Sequence, residues 1–345
     1  MELRSFGPWH GDGGNHGDVV MSCRVRLARN VAGFPFVNRA SEEQHDEVLR
    51  LARHLVLSSE IAEGMFWVDL QHATDQDRRL LVERHLISKH HAENDISRAV
   101  AISADETLSI MVNEEDHLRM QILEPGLQLG EVYERLNAVD DALEANIDYA
   151  FSPRWGYLNA CPTNIGTGIR FSVMMHLPGL KITNEIDRVR RAARDLHLAV
   201  RGYYGEGSES AGDFYQISNQ VTLGRSEPDL LEEFQARIIP GIIEYETQAR
   251  RILVDRNSVV LDDRVHRALA VLRSARLLGA EEAMKLLSRV RLGAFLGRVE
   301  GVDRGVINHL FLQIQPAHLQ LHAGAQLSAD ERREARASLV RRALA

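Results

Sequence analysis

The chain has 345 residues, of which 44% are hydrophobic, so it can bury a substantial core as one large domain or two ordinary ones. It carries 41 basic and 49 acidic residues, and this net charge of −8 argues against nucleic acid as its main direct partner. Any phosphate group that it binds must therefore be met by local clusters of basic residues.

Arginine dominates the basic residues: 38 of the 41 are arginines, since only Lys89, Lys181 and Lys285 are lysines. Codon bias is the simplest explanation of this excess. None of the three lysines lies in a glycine-rich phosphate loop or in a V-A-I-K strand, and the triplets H-R-D and D-F-G do not occur. A P-loop enzyme and an ordinary protein kinase are both disfavoured.

The cysteine count and the hydropathy pattern limit the location of the protein. Cys23 and Cys161 are the only cysteines and form no C-x-x-C pair, which excludes a disulfide framework. The first 18 residues lack the apolar core of a signal peptide, and no run approaches the roughly 18 apolar residues of a membrane span. We therefore expect a cytoplasmic protein without a membrane segment.

The predicted elements divide the chain into two parts. Up to about residue 223 short apolar runs alternate with Gly, Pro and Asn, which predicts an α+β region, and beyond residue 228 the pattern is almost continuously helical. The first part has predicted helices at 42–57, capped by Ser41, and 182–196, and predicted strands at 108–112, 171–177, 198–202 and 215–223. The second part has a predicted helix that begins after Ser226 and is interrupted or kinked at Pro240-Gly241, then helices at 264–278, 280–292, 305–314 and 329–344.

The segment 113–119, Asn-Glu-Glu-Asp-His-Leu-Arg, places three consecutive carboxylates directly after a predicted buried strand. Because packed carboxylates repel one another, such a cluster usually surrounds a cation. That cation is either a metal ion or the guanidinium group of a substrate, and the segment alone does not distinguish them.

Five arginines stand in or beside predicted strand ends. Arg24 and Arg26 are two residues apart, so on a strand their side chains point to the same face. The planar fork of arginine suits bidentate contact with phosphate oxygens, although any one of these residues, taken alone, is more often a surface arginine. The remaining three are Arg119, Arg170 and Arg201.

Two turn-rich segments and a histidine cluster add further candidates. Glu206 lies in the glycine-punctuated segment 201–209, either a flexible hairpin loop or a loop that closes over a substrate. Cys161 begins the segment 161–168 and is either a small buried apolar residue or an activated thiol beside arginines. Three histidines lie at 85–91 without acidic companions at ligand spacing, so we expect no protein-held metal site and assign His85 to a nucleotide base.

Four ordered segments, 22–26 (Ser-Cys-Arg-Val-Arg), 113–119, 161–170 and 201–206, resemble the motifs of the ATP:guanido phosphotransferases, the family of creatine and arginine kinases. The long helical C-terminus and the strings at 25–30, 85–88, 204–209 and 216–220 are similar to the bacterial branch that phosphorylates arginine residues in proteins. Gln216 fits this branch, because arginine kinases usually have Asp there. The small-substrate kinases carry a helical domain before the first motif; here that motif begins at Ser22, so we expect an open site that a protein surface can reach.

The resemblance implies an antiparallel sheet flanked by helices, of the glutamine-synthetase-like kind, followed by an all-helical C-terminal domain. We expect an N-terminal extension at 1–17, a catalytic domain at 18–248 and a helical domain at 249–345 for dimerisation and phosphoarginine sensing. The implied cofactors are ATP and Mg²⁺. The implied activity marks proteins for a Clp-type protease in a stress response, with a second copy of the chain and a zinc-binding activator protein as further partners.

The resemblance also implies roles for individual residues. Glu115 and Glu206 would grip the substrate guanidinium from two sides, Glu115 would accept its proton, and Cys161 would contact it, while Glu114 and Asp116 would support this geometry or magnesium-bound waters. The residues implied to bind ATP are Ser22, Cys23, Arg24, Val25, Arg26, His85, Arg119, Arg170, Phe171, Ser172, Val173, Met174, Arg201, Gly202, Tyr203, Tyr204 and Gly205.

One departure from the family concerns the C-terminal motif R-D-x-x-R-A, which forms a phosphoarginine pocket. Arg332, Arg336 and Ala337 match it, but Arg333 replaces the aspartate, which puts phosphoarginine sensing in question. Two alternatives to a protein-arginine kinase stay open. One is a kinase of small free guanidines, and the other is a catalytically weak adaptor that recognises phosphoarginine or delivers client proteins to a protease.

Overall fold

The computed structural model describes residues 7, 14–59, 61, 63–203 and 211–345. Its strands are β1 Val20–Arg29, β2 Met65–Asp69, β3 Ala99–Ser103, β4 Leu108–Val112, β5 Leu118–Pro125, β6 Phe151–Ser152, β7 Gly156–Tyr157, β8 Ile169–His176, β9 Leu198–Arg201 and β10 Phe214–Asn219. Eight of them form one antiparallel sheet in the order β2-β3-β4-β5-β1-β8-β10-β9, and β6 pairs with β7.

Helices flank this sheet and make up the whole C-terminal region of the described chain, so the predicted fold class is confirmed. The helices are α1 Glu42–Ser58, α2 Asp75–Glu83, α3 Lys89–Glu93, α4 Leu129–Glu144, α5 Pro178–Ile182, α6 Ile186–Asp195, α7 Glu227–Glu233, α8 Ile239–Ser274, α9 Ala280–Phe295, α10 Arg304–Gln313, α11 Pro316–Ala323 and α12 Ala329–Ala343. The predicted caps at Ser41 and Ser226 are confirmed, because each hydroxyl accepts a hydrogen bond from the third backbone N–H of its helix.

Several predicted boundaries are wrong. The helix expected at 182–196 begins later, at Ile186: Asn184 adopts a left-handed conformation with φ of 60°, and the short helix α5 ends before it at Ile182. The irregularity expected at Pro240-Gly241 takes the form of a π-helical segment, Phe234–Ile238, which joins α7 to α8 directly before Pro240 in the first turn of α8. The strand expected at 215–223 ends at Asn219, and α11 was not predicted.

The sheet has one apolar face and one mixed face because side chains alternate along each strand. On β1, Cys23, Val25 and Leu27 are completely buried in the main core, which includes residues of α1, α4, α5, α6 and the first part of α8. Arg24 and Arg26 point to the opposite face, as predicted from their spacing. The fold therefore separates the core of the protein from the charged strand residues.

The C-terminal helices cover one end of this charged face. Met21, Tyr203 and Phe214 from the sheet side pack into one cluster with side chains of α8, α9, α10 and α12. A smaller cluster beneath α2 and α3 covers the other end. Helix α8 contributes to the main core with its first part and to the C-terminal cluster with its last part, and a kink at Asn257, with φ of −136° and ψ of 31°, lies between them. The domain boundary expected at 248/249 stays a prediction. None of the described helices combines the length and the apolar character needed to cross a membrane.

Candidate active site

Arginines from neighbouring strands meet on the charged face of the sheet. In the strand register, Arg26 on β1 lies opposite Gln121 on β5 and Arg170 on β8, while Gln216 on β10 lies opposite Arg201 on β9. All five of these side chains line one cavity of about 600 Å³ between the two end clusters. Strand alternation thus brings together residues that are up to 190 positions apart in the sequence.

The strand residues form the floor of the cavity, and three loops form its wall. The lining includes the predicted residues Arg24, Arg26, His85, Glu114, Glu115, Arg119, Cys161, Arg170, Arg201 and Gln216. Further lining residues that the sequence analysis did not assign are Val82, Ile87, Ser88, Lys89, His90, Glu93, Met111, Gln121, Thr163 and Asn164. Gln121 could have been found from the sequence, because it follows Arg119 by two residues on the same strand. Ser88 carried no such signal.

The arginines repel one another in a partly desolvated space. Burial, together with Arg170, Arg119 and Arg201, lowers the pKa of Arg24 to about 10. Burial, together with Arg119, Arg170 and Arg24, lowers the pKa of Arg26 well below its usual value. Arg24 donates a hydrogen bond to Ser172 (3.3 Å), whereas the guanidinium of Arg26 makes no hydrogen bond or ion pair with any described residue. A polyanion such as a triphosphate would relieve this repulsion.

The acidic segment is built around Arg119, which is buried. The Arg119 guanidinium forms ion pairs with Glu114 and, at 2.6 Å, with Glu115. Burial would raise the pKa of Glu114, but Arg119 and the hydroxyl of Ser88, which donates to its carboxylate at 2.6 Å, hold it at about 2. Glu114 is therefore a buried anion that fixes Arg119, and its carboxylate is already occupied by protein groups.

Asp116 connects the acidic segment to the cysteine segment. Its buried carboxylate accepts hydrogen bonds at 2.8 Å from the side chain of Asn30 and from the backbone N–H of Ala160, next to Cys161. Cys161 lines the cavity, and its Sγ lies 3.0 Å from the hydroxyl of Thr163. The carboxylate of Asp116 therefore holds the acidic segment and the cysteine segment together.

Glu115 differs from its acidic neighbours because its side chain is 43% exposed. One carboxylate oxygen accepts from Arg119 at 2.6 Å, and no described group donates a hydrogen bond to the other. Within the described ranges no three His, Cys, Asp or Glu side chains converge as metal ligands. One carboxylate oxygen of Glu115 is therefore available to a group that enters the cavity.

His85 lies at the wall of the cavity near Arg24. Its ring meets that of Tyr203 edge to face, with 5.3 Å between ring centroids. Burial, and to a lesser extent Arg24, lowers the pKa of His85 to about 3, so the imidazole is neutral at physiological pH. A neutral ring suits contact with an uncharged nucleotide base.

Several predicted ATP-binding residues lie elsewhere. Cys23, Val25, Phe171 and Val173 point into the main core, which removes their side chains from the cavity, and burial raises the pKa of Cys23 to about 12. Ser22, Ser172 and Met174 share the charged face but are buried, and Tyr203 and Gly202 are buried beside them. Tyr204, Gly205 and Glu206 fall outside the described residues, so their assignments stay predictions.

The C-terminal motif lies on α12 and does not line this cavity. Arg336 is buried and donates to the backbone carbonyls of Ile314 and Leu278, each at 2.8 Å, while Ala337 is fully buried. Arg332 donates to the carbonyl of Leu327 at 2.6 Å. These contacts join α12 to its neighbours, and phosphoarginine sensing stays a prediction.

Two family models match the chain. A model described as the C-terminal catalytic domain of ATP:guanido phosphotransferases matches residues 48–249, and one described as the C-terminal domain of protein-arginine kinase McsB matches residues 258–345. The chain is similar to the protein-arginine kinases of Symbiobacterium thermophilum, at 46% identity over 98% of this chain and 96% of that protein, and of Halothermothrix orenii, at 43% identity with the same coverage.

Solved structures of related kinases share the fold. The chain resembles the duplicated taurocyamine kinase of Schistosoma mansoni with bound transition state analog components, with a TM-score of 0.63 and 28% identity over 71% of this chain and 36% of that chain. It also resembles lombricine kinase, with a TM-score of 0.59 and 26% identity over 67% of both chains.

Proposed function

Since the chain belongs to the ATP:guanido phosphotransferase family, in its protein-arginine kinase branch, we propose that it transfers the γ-phosphoryl group of ATP to arginine side chains of proteins. One observation carries this proposal. Glu115 presents a partly exposed carboxylate, oriented by Arg119, at a cavity whose floor is lined with arginines. A cationic substrate group and a polyphosphate can therefore meet there.

The arginine floor is the proposed ATP site. Arg24, Arg26 and Arg170 would contact phosphate oxygens and stabilise the charge that develops on the transferred group, and Arg119 and Arg201 would extend this site. We propose that ATP binds together with Mg²⁺, which would neutralise part of the phosphate charge. The carboxylate of Glu114 and Oδ1 of Asp116 accept from protein donors, and Oδ2 of Asp116 is buried, so we assign this ion mainly to the phosphates.

The substrate guanidinium needs activation because its pKa is above about 12, so at neutral pH it is protonated and a poor nucleophile. Glu115 would hold it by charge-assisted hydrogen bonds, orient one nitrogen toward the γ-phosphorus, and accept the proton of that nitrogen. Glu206 is the predicted second carboxylate. Most of the catalytic effect would then come from positioning and electrostatics.

A protein rather than a free guanidine is the substrate that the similarities favour. Identity to the protein-arginine kinases is 43–46%, whereas identity to the taurocyamine and lombricine kinases is 26–28%. The match of residues 258–345 to the C-terminal domain of the protein-arginine kinases supports the same choice. Clp-type degradation, a stress role, a homodimer, a zinc-binding activator and the cytoplasm stay predictions.

The test is incubation with Mg-ATP and either free arginine or an unfolded protein, followed by detection of acid-labile phosphoarginine under non-acidic conditions. We expect label on the protein, and its loss in Glu115→Gln. The matched control is Glu124→Gln, which alters a carboxylate that pairs with Arg135 outside the cavity. Label on free arginine alone would indicate a small-guanidine kinase, and no label on either would indicate an adaptor.

A further inference from the structure

The backbone at His85 is held in an unusual conformation. Helix α2 ends in a Schellman arrangement, in which the N–H of His85 donates to Val82 and the N–H of Leu86 donates to Leu81. Glycine usually occupies the left-handed position of this motif, but here His85 does, with φ of 58°. Histidine is among the non-glycine residues that adopt this region most often, and the exposed His197 does so as well, with φ of 53°.

The residue two positions before His85 binds the C-terminal helix α11. The buried carboxylate of Glu83 accepts hydrogen bonds from the backbone N–H groups of Ala317, at 2.8 Å, and His318, at 3.1 Å. These donors lie in the first turn of α11, where N–H groups have no partner within the helix. Glu83 thus joins the last turn of α2 to the first turn of α11.

The residue directly before His85 binds the same helix. The Nε–H of Arg84 donates to Nε2 of His318 at 3.3 Å, which leaves Nδ1 of His318 to carry the ring hydrogen and donate to Glu83 at 2.8 Å. Arg84 also forms a buried ion pair with Glu106. His318 is therefore a neutral, fully buried ring between the two residues that lead into His85.

The other side of the His85 ring is also connected to the C-terminal helices. Its neighbour Tyr203 packs against Phe214 with 5.4 Å between centroids, and Phe214 packs against Phe311 of α10 at 4.9 Å. The backbone at His85 is therefore linked to α11, and the ring of His85 is linked to α10 through a series of edge-to-face and tilted ring contacts. Both helices lie more than 200 residues from His85 in the sequence.

We propose that Glu83, Arg84 and His318 are positioning residues for the nucleotide: they hold the His85 ring in the cavity, so that helix α11 sets the affinity of the catalytic region for ATP. This inference rests on the proposed function, in which the cavity binds ATP. Small displacements of a positioned group weaken its contacts steeply. Loosening the α2–α11 junction should therefore weaken nucleotide binding while the phosphoryl-transfer step, which uses Glu115, stays intact.

The test compares Glu83→Gln with Glu246→Gln. Glu246 is a matched control because it is also a buried carboxylate that accepts from the first turn of a helix beginning with proline: the N–H groups of Gly179 and Leu180 in α5, each at 2.9 Å. We expect Glu83→Gln to raise KM for ATP and Kd for ADP about fivefold to tenfold, with kcat changed less than about twofold. Glu246→Gln should lower thermal stability without changing either nucleotide constant.

A double-mutant cycle shows whether the effect passes through His85. If it does, Glu83→Gln should add no further loss of ADP affinity in a His85→Ala background. Additive losses, unchanged affinity in Glu83→Gln, or an equal loss in Glu246→Gln would overturn the inference. His318→Phe, which keeps the ring but loses both hydrogen bonds, serves if Glu83→Gln does not fold. Direct ADP titration needs no transfer activity, so failure of the proposed kinase function would be seen separately.

Discussion

Replacing Glu115 with glutamine should separate phosphoryl transfer from nucleotide binding. The amide keeps the shape of the side chain but cannot accept a proton from the guanidinium. Loss of a general base typically lowers the rate about 10²- to 10⁴-fold, or about 3–5 kcal/mol of transition-state free energy. We expect kcat on an unfolded protein substrate to fall within this range.

Nucleotide binding should survive this change because Arg119 remains fixed. The Glu115 side chain is 43% exposed, so its pair with Arg119 contributes at most about 1 kcal/mol to stability, whereas Glu114 is buried and keeps its own ion pair with the same guanidinium. Thermal unfolding and the Kd for Mg-ADP should therefore stay close to those of the unmodified protein.

The assay combines single-turnover transfer kinetics with calorimetric titration of Mg-ADP on the same preparation. Glu114→Gln is the informative companion, since it leaves the buried Arg119 with fewer partners and should impair stability as well as activity. A Glu115→Gln protein with nearly normal kcat would refute the role of this carboxylate as base. A large loss of ADP affinity would refute the separation of the two functions.

Three further changes test the electrostatics and the strain at the site. Without nucleotide, the thermal stability of Arg26→Met should be equal to or higher than that of the original protein, because the change removes repulsion between Arg26 and the other arginines of the cavity. The additional stabilisation by Mg-ATP should be smaller. A clear loss of stability without nucleotide would contradict this. The free energy of unfolding of His85→Gly should stay within about 1 kcal/mol of the original value, because glycine relieves the strain of the left-handed conformation but also increases the entropy of the unfolded chain. The KM for ATP should nevertheless rise. The pKa of Glu114 is about 2 in the folded protein and 4.5 for an ordinary glutamate, so the ionised side chain stabilises the fold by about 3 kcal/mol above pH 4.5. This stabilisation is lost as the pH falls toward 2. Acid unfolding of Glu114→Gln should lack the corresponding loss of stability.

Local patterns in the sequence predicted the parts of the site that depend on neighbouring residues. The spacing of Arg24 and Arg26 fixes their common face because strand alternation is a local property, and the register confirms it. The same rule, applied strictly, would have excluded the side chains of Cys23 and Val25 from the cavity. The helix caps at Ser41 and Ser226 were predictable for the same local reason.

Long-range contacts were not predictable from one sequence. The hydrogen bonds from Asn30 and Ala160 to Asp116 join residues 44 or more positions apart, and no periodic pattern signals them. The left-handed conformation of Asn184, just before α6, was also not predicted. Contacts between Glu83 and α11 depend on how the C-terminal helices pack, which propensities do not specify.

The alternation along β1 also limits how the length of the chain can change. A single residue inserted or deleted between Cys23 and Leu27 would turn Cys23 or Val25 toward the cavity and bury an arginine in the core. Near Met21 the strand already contains a register shift against β8, where an additional residue is accommodated without pairing. Relatives that differ by one residue in this strand should therefore carry the difference at the bulge, while the stretch from Ser22 to Leu27 keeps a constant length.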